Sequence, residues 1–114
     1  MAKINSREKG KRGEREAAKE LQRVLGIEAR RGQQFSGGDD SPDVVHSLPK
    51  VHFEIKRTEK LQLRKALEQA TQDAGDLCPV ILHRWNKGPW LAIVPLEQLP
   101  TLAVSVYLQL LGNT

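Results

Sequence analysis

Residues 51–56 read VHFEIK, a strict alternation of apolar and polar side chains that is typical of a β-strand with two different faces. Successive side chains of a strand point to opposite sides, so the apolar set is predicted to face the core while Glu54 and Lys56 share the other face. Their Cα atoms then stand about 7 Å apart, which lets both side chains reach one small site. A solvated ion pair on an open strand face is the competing interpretation.

The segment just before this strand supplies a further acid. Asp43 stands at the start of an apolar pair that predicts a short strand over residues 43–46. The Leu-Pro-Lys segment at 48–50 predicts a turn, so we expect a hairpin between this strand and the VHFEIK strand. A hairpin places the start of one strand beside the end of its partner, and Asp43 is therefore expected next to Glu54 and Lys56.

A helix is predicted upstream, starting at Lys9 or Lys11 and ending at Leu25, with the following glycine as its C-cap. One turn before Ala18 on its apolar stripe stands Glu14. An acid on a buried stripe is unfavourable unless a metal or a lysine pairs with it, so Glu14 is a candidate for the same site. Alternatively, the helix frays here and Glu14 only benefits from the positive end of the helix dipole.

Positive charge is concentrated near the start of the chain. Residues 1–34 contain ten Lys and Arg against five Glu, residues 35–114 contain eight against nine acids, and the whole chain carries a formal charge of +4. Such an excess is expected where a protein meets a polyanion such as nucleic acid, and a tail that only aids solubility is the alternative. Residues 1–8 are expected to form a flexible basic tail. The charged side of the first helix, including Glu16, is expected to face solvent.

Length and composition predict a single domain over residues 1–114, because a chain of 114 residues supports one hydrophobic core. The one cysteine, Cys78, excludes an internal disulfide and fits core packing in a reducing compartment. No apolar run approaches a membrane span, so we expect a soluble, cytoplasmic protein without a membrane partner. The three histidines, expected on strand surfaces or in the core, lack the spacing of metal ligands: His46, His52 and His83.

The remaining segments alternate between helix and strand. They are a strand over 27–31, a helix over 61–76, strands over 79–85 and 90–94, and a helix over 96–111. The buried side of the middle helix is predicted to consist of Leu63, Ala66, Leu67, Ala70, Ala74 and Leu77. This order, α-β-β-β-α-β-β-α, predicts an α/β fold with a mixed central β-sheet flanked by helices. Residues 96–114 carry more apolar surface than so small a core can use, so we expect a dimer contact there.

Three segments in this order resemble the PD-(D/E)xK nuclease superfamily: Gly13-Glu14-Arg15-Glu16, Ser41-Pro42-Asp43 and Phe53-Glu54-Ile55-Lys56. Within it, residues 8–95 look most like the archaeal-type Holliday junction resolvases and the resolvase-like endonucleases of phages and prophages. The resemblance implies a restriction-endonuclease-like core and a Mg²⁺-dependent, structure-selective DNA endonuclease, with Mn²⁺ as a substitute ion. A Holliday junction resolvase that acts as a homodimer on branched, four-way DNA is the function it implies most directly.

The resemblance also implies roles for individual residues. Mg²⁺ takes oxygen ligands, and those implied are Asp43, Glu54, the Ile55 carbonyl and Glu14. Lys56 is implied to polarise or deprotonate the attacking water. Ser41 and Gln69 are implied as supporting polar groups. The loop over residues 33–40 is longer and more acidic than in the archaeal-type enzymes, and Asp40 is an alternative ligand to Asp43.

Basic side chains are the expected phosphate contacts, which give salt-dependent affinity without reading bases. They are Lys3, Arg7, Lys9, Lys11, Arg12, Arg15, Arg30, Arg31, Arg57 and Lys60. Two other function classes stay open. A restriction-like, nicking or flap endonuclease would share the catalytic residues but cut other DNA, and a noncatalytic DNA-binding protein would not depend on Mg²⁺.

Overall fold

The computed structural model describes residues 6–32 and 43–112, with side chains from Gly10 onward. Its elements follow the predicted order, with a 3₁₀ turn over Leu96–Gln98 before the last helix. The elements are α1 (Ser6–Leu25), β1 (Ala29–Arg31), β2 (Val44–His46), β3 (Val51–Arg57), α2 (Leu63–Ala74), β4 (Cys78–Arg84), β5 (Leu91–Ile93) and α3 (Leu99–Gly112). None of these helices combines the length and the apolar character needed to cross a bilayer.

Helix α1 ends where the sequence predicts and starts earlier. It begins at Ser6, so it takes in the last three residues of the predicted tail, while residues 1–5 lie outside the described part. At the other end Gly26 has a φ of 65° and donates its amide to the Gln22 carbonyl at 3.0 Å. This left-handed cap is the one that a glycine in that position favours.

The described strands form two sheets. β3 pairs in parallel with β4 over seven residue pairs, and β4 pairs antiparallel with β5, so this three-stranded sheet is mixed, as predicted. Helix α2 makes the crossover between the two parallel strands, which need such a connection. β1 and β2 form a separate antiparallel ribbon.

The predicted hairpin between β2 and β3 is wrong. β2 pairs with β1, and the ribbon is closed by Ser47, whose amide donates to the Glu28 carbonyl and whose hydroxyl accepts from the Glu28 amide. The turn at residues 48–50 carries the chain from the ribbon to the other sheet, and Lys50 there has a φ of 64°. Alternating polarity identifies the faces of a strand but not the strand it pairs with, which is why the sequence misassigned this pair.

The apolar face of β3 packs against α1 as the alternation predicts. Phe53 and Ile55 belong to the same buried cluster as Ala17 and Leu21 of the helix, and Cys78 also packs there. On α2 the buried residues are Ala66, Ala70 and Ala74. Two of the predicted positions are wrong, since Leu63 and Leu77 are 47% and 43% exposed. They stand at the first residue of α2 and beyond its last residue, where the helix no longer covers the sheet.

Glu16 corrects the expectation of a fully solvated charged side on α1. Its Oε1 lies 2.7 Å from Arg84 Nη1 and 3.6 Å from Arg57 Nε, so one carboxylate connects α1 to β4 and β3. Close packing accompanies this contact: a Cβ on Gly13 would lie 2.6 Å from the Cβ of Arg57. A glycine is therefore required where α1 crosses the end of β3.

Replacing Gly13 with alanine tests this close approach. Alanine favours a helix interior by about 1 kcal/mol over glycine, yet we expect Gly13→Ala to lower the free energy of unfolding by about 1–3 kcal/mol, because α1 must move away from β3. Gly10→Ala is the matched control in the same helix, where the added Cβ meets nothing within 4 Å and stability should rise by about 0.5–1 kcal/mol. Urea denaturation of the two variants measures both effects, and a gain in stability for Gly13→Ala would contradict the packing.

Candidate active site

The polar face of β3 lies against α2 and is largely buried. Glu54 is 3% exposed and His52 8%, while the Lys56 side chain keeps 29% of its surface in solvent. The interpretation of Glu54 and Lys56 as a solvated surface pair is therefore wrong. A carboxylate at that depth is stable only if hydrogen bonds or opposite charges compensate for the water it has lost.

Two neighbours on the same strand supply that compensation. Glu54 Oε1 lies 3.9 Å from Lys56 Nζ, and Glu54 Oε2 lies 3.2 Å from His52 Nε2. Lys56 Nζ in turn donates to Gln69 Oε1 at 3.1 Å. The side-chain amide of Gln69 on α2, expected at the edge of the site, therefore holds the Lys56 ammonium close to the Glu54 carboxylate.

Asp43 reaches this group from the start of β2. Its Oδ2 accepts the backbone N–H of Ile55 at 3.0 Å, so the acid lies against the strand one residue after Glu54. The neighbourhood expected from a hairpin thus arises from a single side-chain hydrogen bond. Burial raises the pKa of Asp43 to about 6; the Ile55 amide opposes that rise, and the negative charges of Glu54 and Glu14 add to it.

Glu14 approaches the same acids from α1. Its Oε2 accepts a hydrogen bond from Arg31 Nε at 3.0 Å, and its side chain is 19% exposed. Burial raises the pKa of Glu14, the Arg31 guanidinium opposes the rise, and the charge of Glu54 contributes to it. Its partner is an arginine of β1 rather than a lysine. Because α1 begins at Ser6, Glu14 stands two turns inside the helix, so the explanation by the helix dipole is wrong.

Sequence reasoning missed two members of the cluster, His52 and Asp73. The ligand atoms of His52, Glu54 and Asp73 all lie within 4.8 Å of one another, a set that could hold a metal ion. The hydrogen bond with Glu54 is the largest cause of a raised pKa for His52. A signal was present: strand alternation puts His52 beside Glu54, and the four-residue spacing of Gln69 and Asp73 puts both on one side of α2.

The expected phosphate contacts divide into two groups. Those exposed to solvent are Arg12, Arg15, Arg30 and Lys60, and Lys11 is half-buried. Two other arginines contact acids or amides of the protein itself. Arg31 donates to Glu14. Arg57 pairs with Glu16, and its Nη2 donates to Asn86 Oδ1 at 3.0 Å. The remaining expectations fall on Ser41, residues 33–40 with Asp40, and the side chains of Lys3, Arg7 and Lys9, which lie outside the described residues.

An open groove leads to the lysine. It has a volume of about 470 Å³ and is lined by Lys56, Leu61, Gln62, Lys65, Gln69 and Gln72, among others. The acids themselves suit a hard divalent cation, because carboxylate and carbonyl oxygens are the donors such ions take. The site therefore combines acids of the kind that suit a divalent cation with a lysine that lines an open groove.

The raised pKa of Asp43 predicts a pH-dependent stability for the protein without metal. The unfolded chain releases this proton near its ordinary pKa of 3.8 and the folded chain near 6, so the folded state binds more protons between these values. Stability should therefore fall as pH rises through this window, by roughly 2 kcal/mol for this group. Asp43→Asn keeps an acceptor for the Ile55 amide and should lose that part of the slope. Chemical denaturation in EDTA at pH 4, 5, 6 and 7 measures the difference, and parallel profiles would contradict the assignment.

Comparison with known proteins agrees with this arrangement. A solved structure, that of Hjc, a Holliday junction resolvase from the archaeal hyperthermophile Archaeoglobus fulgidus, is similar with a TM-score of 0.50 and 21% sequence identity, covering 75% of this chain and 72% of that chain. At this identity the likeness establishes a common fold and confirms the predicted α/β restriction-endonuclease-like core. A search of curated proteins found no match. The family model described as phage putative PDDEXK endonuclease matches residues 5–110, nearly the whole sequence, and the chain therefore belongs to that nuclease family.

Proposed function

We propose that this nuclease is a Mg²⁺-dependent, structure-selective DNA endonuclease, and specifically a Holliday junction resolvase. The observation that carries the proposal is the hydrogen bond between the Ile55 amide and Asp43, which brings a second acid beside Glu54 and Lys56. Membership in an endonuclease family supports hydrolysis of phosphodiester bonds. The resolvase fold of the Archaeoglobus protein supports the choice of a four-way junction among DNA substrates.

Asp43, Glu54 and the Ile55 carbonyl are the proposed ligands of Mg²⁺, or of Mn²⁺ as a substitute. A divalent ion bound there would neutralise phosphate charge and make a bound water more acidic. Glu54 would hold the ion while its Oε2 stays against His52. Glu14, held by Arg31, adds negative charge that favours cation binding. Ser41 is proposed as a further polar group at this site.

Lys56 is the proposed partner of the attacking water. Its Nζ is held by Gln69 and lies 3.9 Å from Glu54 Oε1, so the ammonium head has a defined position in the lining of the groove. From there Lys56 can polarise or deprotonate the attacking water, and its positive charge can stabilise the negative charge that develops on the phosphate. Gln69 acts through Lys56 and is a positioning residue in this scheme.

Four exposed basic side chains are proposed to bind the DNA backbone: Arg12, Arg15, Arg30 and Lys60. Lys9 and Lys11, on the same helix as the first two, are proposed to join them. Phosphate contacts carry no base information, so this set favours recognition of DNA shape over sequence. A junction presents two equivalent strands for cutting, so we propose that two copies of the chain act together as a homodimer. The proposed place of action is the cytoplasm of a bacterial or phage-infected cell.

A substrate panel tests the function. The protein is incubated with a four-way junction, a flap, linear duplex and single-stranded DNA, each with Mg²⁺ and with EDTA. We expect paired incisions in the junction, at least about tenfold faster than in the other substrates, and none in EDTA. Faster cleavage of the flap or of the duplex would contradict the resolvase assignment and indicate a nicking, flap or restriction-like endonuclease. Binding without Mg²⁺-dependent cutting of any substrate would leave a noncatalytic DNA-binding protein.

Substitutions at the proposed chemical groups test the mechanism. Glu54→Gln and Lys56→Ala should each reduce Mg²⁺-dependent cleavage by at least about 10²-fold, because one loses an ion ligand and the other the cation beside the water. DNA affinity in Ca²⁺ should stay within about threefold of the unaltered protein, since phosphate contacts elsewhere supply the binding. Lys19→Ala, which removes an exposed lysine of α1, is the matched control and should cleave normally. Loss of binding with normal cleavage per bound complex would refute these roles.

A further inference from the structure

One of the two tryptophans of the chain lies open to solvent beyond the end of β4. Trp85 is 37% exposed, whereas Trp90 packs against the hydrophobic core. Single exposed apolar side chains are ordinary, but an indole is large and is mostly buried in folded proteins. Two further features distinguish Trp85: the face of the sheet on which it lies and the contacts that hold it there.

Trp85 lies on the face of the sheet that carries the proposed catalytic residues. In the register of β3 and β4, Lys56 stands opposite His83, so their side chains share one face. Trp85 follows His83 by two residues and stays on that side, with the two ring centroids 5.7 Å apart. Two residues of a strand span about 7 Å, which is the rise of roughly two stacked nucleotides. A DNA strand that reaches Lys56 can therefore also reach Trp85.

The turn that follows Trp85 holds the indole in place. The Gly88 amide donates to the Trp85 carbonyl at 3.0 Å, and Arg84 Nε donates to the Gly88 carbonyl at 2.8 Å. Gly88 also lies directly against the ring, since an added Cβ there would stand 2.4 Å from Trp85 Cε2. An indole that is positioned in advance loses little side-chain freedom when a ligand binds to it.

The same turn is tied to the end of β3 and carries positive charge. The Asn86 amide donates to Glu59 Oε1 at 2.8 Å, and Asn86 Oδ1 accepts from Arg57 Nη2 at 3.0 Å. Lys87 follows Asn86, Lys60 follows Glu59, and both lysines are exposed. Two exposed ammonium groups thus outweigh the one exposed acid beside the indole.

We propose that Trp85 is a stacking platform for an unpaired base of the DNA substrate. Every base has an aromatic face, so an indole binds unpaired bases with little regard to sequence, and the adjacent lysines attract the phosphates between them. Bases inside an intact duplex are stacked on one another and do not offer that face. Trp85 therefore favours DNA with unpaired bases over uninterrupted duplex. The inference rests on the proposed function in taking DNA as the substrate, but it does not depend on the choice of a four-way junction.

A protein segment is the competing occupant of this surface. The centre of a protein interface is poor in lysine and other charged residues. By contrast, the residues on either side of Trp85 are polar or charged: Arg84, Asn86 and Lys87. A nucleic acid fits both the aromatic face and the positive charge.

Two DNA ligands that differ only in their bases test the platform. One is a duplex with an unpaired thymidine arm, and the other has an arm of abasic nucleotides with the same number of phosphates. With Ca²⁺ in place of Mg²⁺, Trp85→Ala should weaken binding of the thymidine arm at least about fivefold and of the abasic arm less than about twofold, because the lost contact is to a base. Trp85→Phe should restore most of the loss. Lys87→Ala should weaken both ligands alike, since a phosphate contact does not depend on the base.

Leu77→Ala is the matched control. Leu77 is 43% exposed and precedes the first residue of β4, at the opposite end of that strand from Trp85. Its truncation removes a comparably exposed apolar side chain and should change the affinity for neither ligand. Circular dichroism and urea denaturation establish that each variant is folded.

A measurement that keeps Trp85 intact covers the case in which Trp85→Ala does not fold. Trp90→Phe leaves Trp85 as the sole tryptophan of the chain. Its fluorescence should be quenched by the thymidine arm and should hardly change with the abasic arm, because only a stacked base contacts the indole.

Equal losses on the two ligands, no loss in a folded Trp85→Ala variant, or a fluorescence response that is the same for both arms would overturn the platform. Cleavage of the substrate panel separates this inference from the proposed function. Junction cleavage without any base-dependent effect at Trp85 refutes the platform alone. Base-dependent binding at Trp85 with faster cleavage of the flap refutes the resolvase alone, and a protein that binds no DNA refutes both.

Discussion

The burial of the Glu54 carboxylate is the constraint on which the rest of the structure depends. An acid that is 3% exposed in the middle of a parallel strand pair must be matched by donors from several directions. His52 and Lys56 supply them from the same strand, and α2 fixes the lysine through Gln69. Two further acids lie close enough to repel Glu54. The negative charge of Glu54 raises the pKa of both Asp43 and Glu14. Three acids, one buried and two half-buried, of which the first raises the pKa of the other two, are the kind of arrangement that function, rather than stability, explains.

Much of the site could be read from local sequence, because it depends on periodicities that local sequence controls. Alternation in residues 51–56 separated the core side of β3 from the side with Glu54 and Lys56, and helical spacing put Glu14 on the buried side of α1. Asp43 was placed correctly for the wrong reason. Its contact is a side chain on the Ile55 amide, whereas the hairpin that was expected to produce it does not form.

The sequence does not predict contacts that depend on how two helices or strands cross. Glu16 pairs with Arg84, which lies 68 residues away, and nothing in the pattern of either segment marks the other as its partner. Asp73 meets His52 only because α2 runs back along β3 with a particular rotation, and a crossing of two elements is decided by packing over their whole length. The exposure of Leu63 and Leu77 has the same origin, since helical period predicts the buried side of α2 but not the residue at which the helix leaves the sheet.

The separate ribbon of β1 and β2 has a consequence for how the acids are assembled. Arg31, which holds Glu14, is the last residue of β1, and it pairs with Val44, the neighbour of Asp43. Two of the three acids therefore take their positions from one small unit, which forms no strand pair with the larger sheet among the described residues. A shift of that unit by one side chain's length would withdraw Asp43 from β3 and release Glu14 in the same movement. An ion held by the proposed ligands would therefore favour the seated position of this ribbon, and a seated ribbon would in turn favour ion binding.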